Sequence, residues 1–377
     1  ADVWDPKTSQ VKNLDLADYE YDSVSKQLVS VTDKTTNLTT RYAWYGSSTR
    51  LAMISEPGLA PYRLWYGTGS ASHKLIMVTR DTPNATSWPQ TVQSNPPAGS
   101  VALARYHDDV PVDGNGTALP DVSTSTTSQW FQSRGPAQGY AVFGPDYSWD
   151  GNKEVSRPAN GSNDWRYASI QYATTDGYTV NTATYGAGTW LLDATDYDPD
   201  GREVRELAPG ATKHILTTSA NENAAEVDAM STQTVYDQVG KVTSVVAPVR
   251  DSIANFVSLQ GLRPHTQFSY DQGAPNGGIN PNNGEAYGLP TRVHLMGRDS
   301  GGQDVGLISD TRTGYAAVES GDTSGWDTGQ ATTQSQRESY FPNPLNDIIT
   351  TTRYDDRGRV IETRQPLAGS GDPEVMH

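Results

Sequence analysis

The chain has 377 residues, a formal net charge of −16, no cysteine and an apolar fraction of 35%. That acidity, with no cluster of Lys and Arg, excludes a continuous nucleic-acid footprint, and an anionic membrane surface repels it. The lack of cysteine excludes thiolate zinc sites, and no apolar run approaches the roughly 18–20 residues that a spanning helix needs.

The 20 Tyr, 9 Trp, 35 Gly and 23 Pro are a vocabulary of short strands and frequent turns. Apolar residues at helical spacing are nearly absent. The fold class read from this is all-β: antiparallel hairpins that form a curved or spiralling sheet, with long polar loops and little helix. Three stretches subdivide residues 1–377: a hairpin meander over 1–80, a loop-rich insertion over 81–163, and turn-repeat hairpins over 164–377.

In chain order, a lead-in over 1–17 precedes strands predicted at 20–32, 39–45, 50–55, 62–66 and 74–79. A strand at 100–106 interrupts the loop-rich insertion. Strands follow at 129–143, 164–172, 179–185, 189–194, 202–207, 212–218, 233–236 and 241–246. One short helix is predicted at 221–230. Polar loops fill 272–288 and 319–336, and the last pair of strands lies at 348–354 and 359–364.

One phrase recurs along this order. It is cleanest at Tyr197-Asp198-Pro199-Asp200-Gly201-Arg202, at Tyr236-Asp237-Gln238-Val239-Gly240-Lys241 and at Tyr354-Asp355-Asp356-Arg357-Gly358-Arg359. Tyr21-Asp22-Ser23-Val24-Ser25-Lys26 puts Ser in the Gly slot, and Tyr147 opens a degenerate copy. Tyr270-Asp271 opens another copy, whose return strand is delayed by an insertion to about residue 291. The physical reading is a hairpin turn. Tyr ends a strand, and Asp accepts backbone N–H groups just ahead of it. Gly takes the positive φ that a tight reversal requires. Positive φ is expected in at least two of Gly201, Gly240 and Gly358, and Gly358→Val is expected to cost about 1–2 kcal/mol. The uneven steps between copies argue against a propeller, whose blades keep a steady period.

Y-D-x-x-G-[RK], followed by a β-branched run and Pro, resembles the YD-repeat signature of RHS-repeat proteins. The match is close at Tyr197, Tyr236 and Tyr354 and partial at Tyr21 and Tyr147. The resemblance implies a spiralling shell of β-hairpins, as in RHS polymorphic toxins, the B and C components of insecticidal toxin complexes, and teneurins. In the bacterial members the shell encloses a C-terminal toxin domain. The family's shell-closing core and its self-cleavage site have no counterpart in this sequence.

Other chemistry is sparser. Asp196-Tyr197-Asp198-Pro199-Asp200-Gly201 fits the start of a calcium loop, although the twelfth position is Leu207 and no flanking helix is predicted. Calcium on Asp196, Asp198 and Asp200 is therefore weighed against plain turn chemistry; no other cofactor is expected. Asp108, Asp109 and Asp113 form a second acidic loop, read as solvated. His73, His107, His214, His265, His294 and His377 show no metal spacing. No nucleophile elbow, P-loop or dinucleotide fingerprint occurs. The tryptophans raise sugar stacking, with packing the expected role for most of them.

The functional expectation is a non-enzymatic structural segment of a secreted or surface RHS-type protein, read as a piece of a longer polypeptide. Its partners would be the remainder of that polypeptide or a toxin cargo domain, or else glycans in an adhesive role. A carbohydrate-binding module and a polysaccharide-active hydrolase or lyase are the alternatives.

Overall fold

The computed structural model describes residues 2–5, 10–13, 16–46, 48–67, 72–81, 99–114, 118–145, 158–159, 161–218, 223–249, 253–254, 257–258, 261–316, 322–338, 348–355, 357–366 and 373–376. They divide into two compact units: residues 1–127 with 134–192, and residues 128–133 with 193–377.

In the first unit each strand pairs antiparallel with the next: Ala17–Tyr21, Leu28–Asp33, Leu38–Trp44, Leu51–Ser55, Tyr62–Tyr66, Leu75–Arg80, Val101–Val110, Gln138–Phe143, Ala168–Ala173 and Thr179–Gly186. A separate two-stranded ribbon joins Asp2–Asp5 to Gln10–Asn13. The sequence alternation sets which face is buried. In Gln138–Phe143, Ala141 and Phe143 turn inward while Tyr140 and Val142 turn outward. Phe143 joins Val110, Trp165, Ile170 and Tyr172 in one buried cluster.

Strand Thr189–Tyr197 begins in the first unit and ends in the second. The second unit continues the same scheme through Glu203–Leu207, Thr232–Tyr236, Val242–Val246, Arg263–Tyr270, Pro290–Arg298, Asp304–Gly314, Thr333–Glu338, Ile348–Tyr354, Val360–Pro366 and Pro373–Met376. Its core gathers Trp130, Ala194, Leu207, Ile215 and Val227. The all-β antiparallel expectation holds. Among the described residues no helix is long and apolar enough to cross a membrane.

The helices are short, and they correct the sequence reading at several places. Of residues 212–218, read as a strand, all but the last belong to the helix Pro209–Thr217. Pro209 sits at its start, where a missing N–H costs nothing. Thr212 and Ile215, three apart, turn one face into the core. Residues 128–130 form a 3-10 turn ahead of Gln138–Phe143, where a strand from 129 was expected. Likewise Asn163–Tyr167 is 3-10 before strand Ala168–Ala173. The loop read over 319–336 holds the helix Ser324–Thr328 and the start of Thr333–Glu338. The helix expected within 221–230 is present as Ala224–Ala229, capped by Asn223, whose side chain accepts from Ala225 N at 3.0 Å.

Candidate functional site: repeat turns and the clasps between hairpins

Tyr197, Tyr236 and Tyr354 each end a strand and pair with the first residue of the return strand: Glu203, Val242 and Val360. The register slips by one just before each tyrosine, a β-bulge that sharpens the local twist. The same slip precedes Tyr21, Trp44, Tyr66 and Tyr270. Gly201, Gly240 and Gly358 have φ of 80°, 86° and 75°. Each turn closes through two backbone bonds, as in Asp198 N to Arg202 O at 2.9 Å and Gly201 N to Asp198 O at 3.1 Å. The aspartate then caps the loop. Asp198 Oδ1 accepts from Asp200 N and Arg202 N, both at 2.9 Å. Asp237 Oδ1 accepts from Val239 N at 2.9 Å and Lys241 N at 2.8 Å. Asp355 Oδ1 accepts from Arg357 N at 3.0 Å and Arg359 N at 2.9 Å.

The variant copies show which part of the phrase is essential. At Tyr21 the loop is one residue longer, closing from Asp22 N to Gln27 O at 2.8 Å. The left-handed residue is therefore Lys26, with φ 59°, and not Ser25 in the glycine slot. Asp22 still caps, accepting from Ser25 N at 2.7 Å. At Tyr270 the insertion loops out beyond the same closure: Asp271 Oδ1 accepts from Leu289 N at 2.8 Å and Asp271 Oδ2 from Gly288 N at 2.8 Å. Asp299 makes a further copy, with Gly302 at φ 79° and Gln303 N on its Oδ1 at 2.8 Å. The sequence reading missed it because Arg298 stands where the tyrosine would be. The copy at Tyr147 lies outside the described residues.

The tyrosine works on the hairpin before its own. Tyr66 Oη donates to Leu51 O at 3.0 Å, Tyr236 Oη to Glu203 O at 3.0 Å, Tyr270 Oη to Val242 O at 2.9 Å and Tyr315 Oη to Pro290 O at 3.0 Å. Trp44 Nε1 does the same to Leu28 O at 2.8 Å. Every one of these carbonyls belongs to the first residue of a return strand. Tyr354 Oη reaches Ala331 O at 3.0 Å, just ahead of Thr333–Glu338. At Tyr66, Tyr236 and Tyr270 the residue before that carbonyl supplies a cation to the same ring. Arg50 lies 5.8 Å from the Tyr66 centroid, Arg202 5.0 Å from Tyr236 and Lys241 4.9 Å from Tyr270. This explains the Arg/Lys of the phrase. At Arg202 and Lys241 the cation also covers the next tyrosine, while the hydroxyl keeps a backbone partner.

Two predictions arise here. A Cβ on Gly240 would meet nothing closer than Arg202 Nη1 at 3.8 Å. Gly240→Val therefore isolates backbone strain, about 1–2 kcal/mol, read as faster hydrogen exchange across residues 232–246. At Gly358 the Cβ would also touch Gln330 Nε2, so Gly358→Val should cost at least as much.

The second concerns acid. Backbone N–H groups of Ser25, Arg202 and Arg359 hold the carboxyls of Asp22, Asp198 and Asp355 below their ordinary value. A depressed folded value gives stability that is complete above the unfolded carboxyl value, about 3.9, and lost as pH falls through the folded ones. Stability should thus fall below about pH 4. Asp355→Asn keeps an acceptor oxygen and should flatten part of that fall, measured as hydrogen-exchange protection of residues 348–366 against pH, corrected for intrinsic exchange.

The three calcium candidates are placed as follows. Asp196 accepts from Ser133 N at 2.7 Å and Ser133 Oγ at 2.8 Å, and pairs with Arg205 at 2.8 Å. Asp198 and Asp200 both pair with Arg202, at 2.7 and 2.8 Å. Among the described residues no three His, Cys, Asp or Glu side chains converge as a metal group.

Sequence spacing gave no hint of the network at His265. Its Nδ1 lies 2.7 Å from Asp304 Oδ1 and its Nε2 2.8 Å from Ser244 Oγ. Desolvation raises the Asp304 carboxyl, but hydrogen bonds from Arg298 and His265 outweigh it and hold the group below its ordinary value. The imidazole is 1% exposed, so the hydroxyl–imidazole–carboxylate relay acts as a tie across strands. Six tryptophans among the described residues fill packing roles. Trp65, Trp130, Trp165 and Trp326 are buried, and the indole N–H groups of Trp44 and Trp190 bond Leu28 O and Ala118 O.

No protein-family model and no curated protein sequence matches this chain. Solved structures match over nearly its whole length. The crystal structure of TcdB2-TccC3-TEV matches at 12% identity and a TM-score of 0.23, over 96% of this chain and 21% of that one. That of TcdB2-TccC3-Cdc42 matches at 13% identity and a TM-score of 0.20, over 95% and 22%. TcdB2-TccC3 without its hypervariable C-terminal region matches at 12% identity and a TM-score of 0.19, over 95% and 22%. This chain thus spans about a fifth of the length of those chains. At such TM-scores the likeness carries nothing about function.

Proposed function

We propose that this chain is a structural segment of an RHS-type β-shell, secreted or surface-exposed, whose work is to enclose a cargo domain or to present an adhesive wall. The supporting observation is the clasp. Each hairpin is marginal alone, yet each aromatic–carbonyl bond fastens it to its predecessor. The device adds units in sequence order and tolerates insertions such as the one after Asp271. Such a sheet extends by repetition, which suits a wall more than a pocket.

The test combines function and architecture. The chain is screened for hydrolase and lyase turnover and on a glycan array. The full reading frame that carries it is probed for protection of a C-terminal domain from protease. Protection without turnover is the expected result. Turnover abolished by replacing one carboxylate would overturn the reading in favour of a polysaccharide-active enzyme. Tight glycan binding without protection would favour a carbohydrate-binding module.

A further inference from the structure

The tie at His265 has the connectivity of a nucleophile relay. Ser244 Oγ lies 2.8 Å from His265 Nε2, and His265 Nδ1 lies 2.7 Å from Asp304 Oδ1. A carboxylate can only accept, so Nδ1 carries the proton and Nε2 is left to accept from the Ser244 hydroxyl. The carboxylate is held in turn. Arg298 Nε donates to Asp304 Oδ1 at 2.9 Å, and Gln267 Nε2 donates to Oδ2 at 3.4 Å. The three groups stand on Val242–Val246, Arg263–Tyr270 and the start of Asp304–Gly314, where strand pairing fixes their spacing. His265 is shielded from water, while Ser244 keeps partial exposure. A hydroxyl, a base within hydrogen-bond reach and a third group orienting that base are the parts of an activated nucleophile.

We propose that Ser244 is a nucleophilic site that takes acyl groups from activated carboxylic esters, with His265 as its base and Asp304 as the residue that positions that base. In the step, Ser244 Oγ bonds the carbonyl carbon, and the bond from that carbon to the leaving oxygen breaks. The hydroxyl proton passes to His265 Nε2 and on to the leaving oxygen. The product is an ester on Ser244. Val242–Val246 is paired on both sides, so its N–H groups are engaged in the ladder and form no oxyanion hole. The reaction therefore needs a donor that is already activated, and the ester persists instead of turning over. Such a site is a point of covalent modification, one acyl group per chain, and is compatible with a wall.

Nitrophenyl acetate is the probe, applied to the whole chain. Peptide mass mapping should find an acetyl group on the peptide that carries Ser244, and Ser244→Ala should remove it. Asp304→Asn should slow the acetylation at least about tenfold, because an amide can donate to Nδ1 and leave the proton on Nε2. Hydrogen exchange over residues 263–270 checks that the strands stay paired in each variant. The chain has no cysteine, so Ser244→Cys places a single thiol beside His265. Its alkylation by iodoacetamide should titrate below the ordinary thiol value of about 8.5, and adding Asp304→Asn should move that midpoint upward. A relay that only ties strands leaves the thiol at its ordinary value. Absence of acetyl on Ser244, or an alkylation midpoint at or above the ordinary value, overturns the proposal. Equal acetylation of Asp304→Asn with its strands intact overturns it as well.

Discussion

Replacing Arg63 with Met lowers the unfolding free energy of the first unit by about 3–5 kcal/mol, while Arg63→Met combined with Asp81→Leu recovers most of the loss. Arg63 Nε bonds Asp81 Oδ2, and the side chains are 4% and 1% exposed. Ser100 Oγ adds a bond to the other oxygen at 3.3 Å. Removing the cation leaves a carboxylate in a place that water does not reach, and one hydroxyl cannot compensate it. Removing both charges leaves an apolar contact of similar volume, which is often neutral or better. The pair joins the second residue of Tyr62–Tyr66 to the residue just past Leu75–Arg80. It therefore reports on that hairpin's docking, not on a surface ion pair worth little. Hydrogen exchange across residues 62–81 should show the single variant opening more readily and the double variant restored. A loss under about 1 kcal/mol in the single variant would show that the pair is solvated in solution.

The turns were legible in the sequence because their chemistry is local. Gly201, Gly240 and Gly358 needed only a steric argument, and Asp198, Asp237 and Asp355 needed only the reach of a short side chain. What the sequence hid is non-local. Arg202 and Lys241 read as parts of their own turns, but each also covers the tyrosine of the following hairpin, 29–34 residues further on at Arg202–Tyr236 and Lys241–Tyr270. The tie at His265 joins Ser244 and Asp304, which are 21 and 39 residues from it in sequence. No spacing rule covers such distances. The helix Pro209–Thr217 was missed for a different reason. Its Thr, Ile and Thr suit an extended chain, and the burial of Thr212 and Ile215 decides the matter. Tertiary packing overrode local preference there.

Trp130→Ala should be the most damaging single substitution in the second unit, at about 3–5 kcal/mol. Trp130 is fully buried and packs with Ala194, Leu207, Ile215 and Val227. These neighbours come from strand Thr189–Tyr197, strand Glu203–Leu207 and the helices Pro209–Thr217 and Ala224–Ala229. One side chain thus fills the space that four elements share, and small residues such as Ala194 cannot collapse into the cavity it would leave. The backbone around it is held as well. Arg205 Nη2 donates to Trp130 O at 2.7 Å and to Phe131 O at 3.0 Å, while Arg205 Nε donates to Asp196 at 2.9 Å. Phe131 itself adopts φ 56°, a left-handed conformation that costs energy in a bulky residue and persists because its surroundings enforce it. Losing the indole removes the packing that keeps residues 128–133 in place, so the strain at Phe131 should be released and the Arg205 bonds should loosen with it. Trp130→Phe restores most of the volume and should recover more than half of the loss. The readout is hydrogen exchange in residues 193–230, because a single global midpoint is poorly defined for a chain of two units. Unchanged protection there in Trp130→Ala would show that the second unit does not depend on this side chain.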